Sequence, residues 1–265
     1  MRMKHAVLPA AVAAALMLAG PGAAQQAAPT QAPQPRFALP DEPQLEPRAV
    51  DMLKAMSSRL SAARSMRFTA VATYESLART GLPLAYSTVS EVLLQRPDKL
   101  RVITPADGTP SEFYYDGRSM TAYTPGVELA AVTAAPPTID AMLQAAYGKA
   151  AIYFPFTDII VADPYGDVAP QLKLAFFVGQ SKVVGGVPID MVVIADEKAQ
   201  AQIWIGVEDR LPRRIEASFF EEGGAFRHVV DLSGWQLDPE VRPEDFTSAK
   251  ALAAGRMPFA PPGSN

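Results

Sequence analysis

From Val50 the apolar residues recur at three- and four-residue steps, through Leu53 and Met56 to Leu60, while Asp51, Lys54, Ser57, Ser58 and Arg59 take the other side. That spacing makes one apolar stripe on a helix, predicted over residues 48–64, and Pro47 stands where proline suits a helix start. At Met66 the period changes to two. Residues 67–75, 85–96 and 99–104 alternate as strands, separated by Gly81-Leu82-Pro83 and by Pro97-Asp98. Residues 112–115 and 119–123 read as a hairpin around Asp116-Gly117, a dipeptide suited to a turn with both central residues at positive φ. A sixth strand follows at 127–132.

The alternation then stops. Pro136-Pro137 precedes Thr138, an N-cap for a helix over 141–150. Residues 154–162 are apolar and short, the length of a second helix, and 163–167 (Asp-Pro-Tyr-Gly-Asp) read as a turn. Five more strands follow at 172–184, 187–195, 200–207, 212–220 and 226–237, linked by Gly185-Gly186, Asp196-Glu197-Lys198, Glu208-Asp209-Arg210 and Glu222-Gly223-Gly224. These links are short enough for antiparallel hairpins. Two meanders around a helical insert predict an α+β domain with one curved antiparallel sheet, not a parallel α/β fold. No repeat of fixed period interrupts that reading.

The sheet is apolar on both faces. Val187, Ile189, Met191, Val193 and Ala195 share one face, yet Val192 and Ile194 lie opposite. Leu172, Leu174, Phe176 and Val178 share a face, with Ala175 and Phe177 behind them, and Phe219 and Phe220 point to both sides. A half-solvated sheet should be polar on one face. This one is packed on two sides or wraps an apolar hollow.

Both ends of the chain differ from the middle. Arg2 and Lys4, the apolar stretch from Ala6 to Gly20 and the small residues Gly22-Ala23-Ala24 read as a secretory signal over 1–24, cut before Gln25. No cysteine follows to carry a lipid. Residues 25–47, with prolines at 29, 33, 35, 40, 43 and 47, read as a disordered Pro/Gln/Ala-rich linker, and 251–265 as a flexible tail. No later run is apolar and long enough to span a bilayer. The expected location is the periplasm, and the folded domain is expected over 48–250.

Composition narrows the chemistry. The 265 residues are 49% hydrophobic and contain no cysteine, which excludes disulfides, thiolate metal sites and a cysteine nucleophile. A net charge of −4 argues against a nucleic-acid partner. The only histidines are His5 and His228. Gly148-Lys149 lacks the upstream glycine of a phosphate loop, and Ser181 lies within a strand rather than on a nucleophile elbow. Asp158, Asp163 and Asp167 lack the ligand rhythm of a calcium loop and read as a solvated turn. Glu91 and Glu112 could form an acid/base pair, but charged residues on an open strand face are commonplace. His228 reads as a packed or surface histidine, Trp235 as core, and Trp204 as a residue at a cavity mouth. No cofactor, metal or catalytic residue is expected.

Several segments resemble a known family when taken in order. They are Glu91 to Arg101 (EVLLQRPDKLR), Tyr115-Asp116-Gly117-Arg118, Tyr123-Thr124-Pro125, Tyr153 to Asp158 (YFPFTD), Gly185-Gly186-Val187, Gln202-Ile203-Trp204-Ile205 and Leu211-Pro212-Arg213-Arg214. The order resembles a family of predicted periplasmic proteins of unknown function, itself similar to the lipoprotein-carrier superfamily of LolA-like and LppX-like proteins. The resemblance covers about residues 48–250. It implies an incomplete β-barrel of about eleven strands with helices plugging the open side, and an apolar hollow that holds acyl chains or serves a sensor. Relatives carry a His-Leu pair soon after the Gly-Gly-Val turn, where this chain has Asp190-Met191.

The expected function is that of a non-enzymatic carrier or binding protein for a lipid, a lipoprotein acyl chain or another apolar ligand. The expected cavity lining is Leu53, Met56, Leu60, Phe68, Val92, Leu94, Phe176, Met191, Val193, Ile203, Trp204 and Phe219. The alternative is a protein-interaction or envelope-sensing module on the same fold, with an envelope protein as partner.

Overall fold

A computed structural model describes residues 39–105, 110–221 and 224–261. The signal read over 1–24, the linker up to 38 and the end of the tail from 262 lie outside the described residues.

The described chain opens with β1 (Gln44–Leu45) and α1 (Pro47–Ala62). A first meander follows: β2 (Ser65–Leu77), β3 (Pro83–Gln95), β4 (Lys99–Thr104), β5 (Ser111–Tyr115), β6 (Ser119–Thr124) and β7 (Leu129–Ala134). The helices α2 (Ile139–Ala150), α3 (Thr157–Ile160) and α4 (Pro164–Val168) interrupt it. The second meander is β8 (Leu174–Ser181), β9 (Ile189–Ala195), β10 (Ala199–Gly206), β11 (Pro212–Glu221) and β12 (Gly224–Leu237). The chain then runs through α5 (Ala249–Ala253) to β13 (Gly255–Met257).

All these strands form one open, curved sheet in the order β1-β8-β9-β10-β11-β12-β2-β3-β4-β5-β6-β7-β13. The meanders join where β12 pairs antiparallel with β2. The expected α+β class and single open sheet are present, but the described strands number thirteen, not eleven. The two additions are β1, inside the stretch read as linker, and β13, inside the stretch read as tail. Each is only two or three residues long and pairs parallel at a sheet edge, β1 on β8 and β13 on β7. Strands that short show no alternation to read.

Local chemistry explains the other boundaries. Thr138 caps α2, its side chain accepting from the Ala141 N–H at 3.3 Å. Asp163 caps α4 by accepting from the Gly166 N–H, so the expected turn at 163–167 is a short helix. The helix expected over 154–162 shrinks to the four residues of α3. The β5–β6 connection has three residues, not two, and only Gly117 has positive φ, at +91°. A Cβ there would lie 2.5 Å from Asp98 Oδ2, so glycine is needed for space as well as for conformation.

The helices fill one end of the concave face. Leu53, Met56 and Leu60 of α1, Ile139 and Met142 of α2, and Ile159 and Ile160 of α3 are buried together with Met66, Phe68, Val92, Leu94 and Leu100 of the sheet. An aromatic chain runs through this core. Trp235 stacks on Phe68 at 4.5 Å, Phe68 meets Phe156 edge-on at 5.6 Å, Phe156 stacks on Phe154, and Phe154 meets Phe113 at 5.2 Å. Trp235 keeps its polar end satisfied, Nε1 donating to the Pro212 carbonyl at 2.9 Å.

On the convex side the segment after β12 folds back over the first meander. Phe246 is fully buried, Ala251 packs with Tyr123 and Ala130, and β13 extends the edge. That cover explains why β3 to β7 are apolar on both faces: Leu93 and Tyr123 point away from the helices and are still buried.

Candidate ligand-binding surface

Strand parity decides what the concave face offers beyond the helices. On β2 the buried residues Phe68, Ala70 and Ala72 point inward, so Tyr74 does too. Unbroken register carries that face across neighbouring strands. Tyr74 pairs with Tyr86 on β3 and with His228 on β12. His228 pairs with Ala217 on β11, Ala217 with Ala201 on β10, and Ala201 with Ile194 on β9. One residue pair nearer the helices, the row reads Thr88, Ala72, Val230, Ile215, Ile203 and Val192.

The outer row is aromatic on one side and small on the other. Tyr74 and Tyr86 stack at 5.7 Å, Tyr74 and His228 lie 6.0 Å apart, and Phe219 meets His228 edge-on at 5.1 Å. Ala199, Ala201 and Ala217 leave the adjacent floor low. Where the inner row is buried or half-buried, the outer row is half-buried from His228 to Ile194 and opens to solvent at its tyrosines: Tyr74 is 38% and Tyr86 47% exposed. The result is an apolar shelf continuous with the core.

The two faces of these strands differ in charge. The convex face holds Arg214, whose Nε and Nη2 donate to the Asp231 carboxylate at 2.7 and 2.9 Å, and Arg227 paired with Glu216 at 3.3 Å. The inward positions from Ala70 to Ser76, Leu84 to Ser90, Ala199 to Ile203, Ile215 to Phe219 and His228 to Leu232 carry no Lys, Arg, Asp or Glu. Burial holds the His228 imidazole below its ordinary pKa, with the Glu75 carboxylate pulling the other way. The shelf is therefore uncharged near neutral pH.

The expected lining residues separate into three groups. Leu53, Met56, Leu60, Phe68, Val92, Leu94 and Ile203 come together on the concave side, but they are packed into the core. Phe219 lies in the aromatic row. Phe176, Met191, Val193 and Trp204 do not join them. Phe176 pairs with Val193 and Met191 with Trp204 on the convex face, where the Arg214 guanidinium sits 5.9 Å from the Trp204 ring. Their placement corrects the expectation that they share the hollow. The inward set on β8 and β9 is Ala175, Phe177, Val192 and Ile194, because α1 packs on that side. With both faces apolar, counting residues could not choose between them.

Asp190 points inward at the foot of β9. It is 3% exposed, accepts from Gln180 Nε2 at 2.9 Å and lies 3.6 Å from Arg210 Nη1. These contacts make it a tie between strands. Glu112 accepts from the Tyr114 hydroxyl at 2.6 Å and is separated from Glu91 on the same face by Ile103. Among the described residues no three acidic, His or Cys side chains are grouped to hold a metal, and no helix is long and apolar enough to cross a membrane.

A family model described as "Predicted periplasmic protein (DUF2092)" matches residues 49–260, four-fifths of the chain. The chain belongs to this family. In DUF2092 terms the match includes α5 and β13, beyond the expected limit of 250. No curated protein matches the sequence. Among solved structures the DUF2092 chain is similar to LprF from Mycobacterium bovis, with TM-score 0.45 and 15% identity over 75% of this chain and 97% of that one. It is also similar to MucB, with TM-score 0.40 and 13% identity, where 77% of this chain spans 64% of MucB. A third is the LolA superfamily protein NE2245 from Nitrosomonas europaea, with TM-score 0.36 and 11% identity over 76% and 97%.

Proposed function

We propose that this DUF2092 protein is a non-enzymatic periplasmic carrier or binding protein, and that it holds an apolar ligand on the concave shelf of its open sheet. The observation that carries this reading is the uncharged, partly exposed row Tyr86–Tyr74–His228–Phe219, beside the alanines of β10 and β11. A folded protein has little reason to leave such a row open to water unless something covers it. A lipid or a lipoprotein acyl chain belongs to the class of ligand it would take. Full burial of a methylene is worth about 0.8 kcal/mol, so eight methylenes with one face on the shelf gain about 3 kcal/mol. That is below the roughly 4 kcal/mol or more that association costs, so tight binding needs either a better-shaped ligand or a second covering surface.

The test is native mass spectrometry of protein isolated from the periplasm, together with titration by the neutral apolar probe N-phenyl-1-naphthylamine. The expected results are a co-purified lipid mass and probe fluorescence that falls at least tenfold in Ala217→Trp, where an indole fills the shelf. A clean apo mass with no probe uptake by the wild-type chain would overturn the proposal.

A second reading, a protein-docking module, has its own observation. Phe176 and Val178 are 38% and 47% exposed on convex β8, beside half-buried Met191, Val193 and Trp204. That reading expects a photo-crosslinker at position 178 to capture one defined envelope protein, while one at position 86 captures none.

A further inference from the structure

We infer that the ligand of the concave shelf is a neutral, rigid fused-ring lipid, a polycyclic alcohol, rather than a flexible acyl chain. The inference rests on the proposed carrier function and specifies its ligand.

Shape is the first ground. At the level of His228 the floor of β11 and β10 is Ala217 and Ala201, with Ala199 one step outward. His228 and Phe219 rise on one side and Ile194 on the other. From β12 to β9 this slot spans three strand spacings, about 14 Å. The walls themselves take part of that span, and the open floor of the two alanine strands is about 10 Å across. That width matches the ring-atom span of a fused tetracyclic skeleton, while the low floor between raised sides suits its thickness. A flexible chain laid on a one-sided shelf must order every torsion while hiding only half of its surface. A fused ring system has no such torsions to order. The aromatic row also offers ring faces and edges to C–H groups of a flat ligand, and such contacts need no enclosing lid.

Charge is the second ground. The inward positions of β2, β3, β10, β11 and β12 around the slot carry no formal charge, whereas the convex face of the same strands is laced with Arg–Asp and Arg–Glu pairs. Polar function on these strands is limited to hydroxyls, those of Tyr74, Tyr86, Thr88, Ser76 and Ser90, and one neutral imidazole. At the β9 end the Asp196 carboxylate is spent on the turn, accepting from the Lys198 and Ala199 N–H groups. A ligand with a single hydroxyl matches that set. An anionic head would sit unpaired among these groups. The competing occupant is a fatty acid that reaches to the β8 end, where the Arg48 guanidinium lies 3.4 Å from the Phe177 ring.

The experiment titrates the chain beginning at Gln25 with dehydroergosterol, a fluorescent neutral sterol, and with cis-parinaric acid, a fluorescent fatty acid, reading energy transfer from tryptophan. The expected result is sterol affinity at least tenfold above parinarate affinity. Tyr86→Ala and Ala217→Trp should each weaken sterol binding tenfold or more, while Phe176→Ala on the convex face leaves it unchanged. Tyr86 is half exposed, so its variant keeps the test valid if Ala217→Trp fails to fold. Parinarate binding that equals or exceeds sterol binding and is lost in Arg48→Ala overturns the ring-system inference and leaves the carrier function standing. Binding of neither probe overturns both.

Discussion

A histidine half-buried between a tyrosine and a phenylalanine loses hydration that its charged form needs. Burial lowers the His228 pKa below 6.5, and the Glu75 carboxylate only partly offsets this. Because the folded state disfavours the charged form, its contribution to stability is complete above pH 6.5 and is lost as the pH falls through 6.5 to the folded value. In the chain beginning at Gln25, His228 is the only histidine. Its imidazole NMR titration should therefore be a single curve with a midpoint under 6.5, and His228→Gln should flatten the urea midpoint between pH 6.5 and 5. A midpoint above 6.5 would contradict the shelf's electrostatics. At this scale part of the site was legible. The expected strand ends at 75 and 85 centre the connection on Thr80 and set Tyr74 opposite Tyr86, the register the sheet has. The alanine floor was not legible, since an alanine in a strand signals nothing until its neighbours are known.

Single side chains from irregular segments hold the elements in place. Phe156 precedes the four residues of α3 and lies fully buried between Phe68 and Phe154. Phe246 belongs to a single 3₁₀ turn, Pro243–Phe246, and is equally buried on the opposite side of the sheet. Removing either ring leaves a cavity, so Phe156→Ala and Phe246→Ala should each lower unfolding stability by about 3–5 kcal/mol in urea titrations. Phe246→Ala should leave probe uptake on the concave shelf intact, because the sheet separates the two. Loss of less than about 1 kcal/mol in either variant would show that the covers are dispensable. Periodicity gave the helices α1 and α2 and the long strands because amphipathic periods persist over three or more turns or pairs. It missed β1, β13 and α5 because elements of two to five residues are defined by what they pair with. The same absence of context put Met191, Val193, Phe176 and Trp204 on the wrong face. The strands are apolar on both sides, and only the docking of α1 distinguishes inside from outside.

For the whole molecule, two meanders joined through β12 and β2 make one sheet with two differently used faces. The convex side of the first meander is closed by the C-terminal segment, and the concave side of both is closed at one end by α1 to α3. The excess of apolar residues on both faces, visible in the sequence, is consumed mostly by these covers. What they leave uncovered on the concave side is the uncharged row from Tyr86 to Ile194. The direct test of this division is methyl NMR of the chain with labelled alanine and methionine, titrated with N-phenyl-1-naphthylamine. Selective shifts of Ala199, Ala201 and Ala217 are the predicted result, with Met191 on the convex face unmoved. Shifts confined to Met191, with the three alanines unperturbed, would contradict the account.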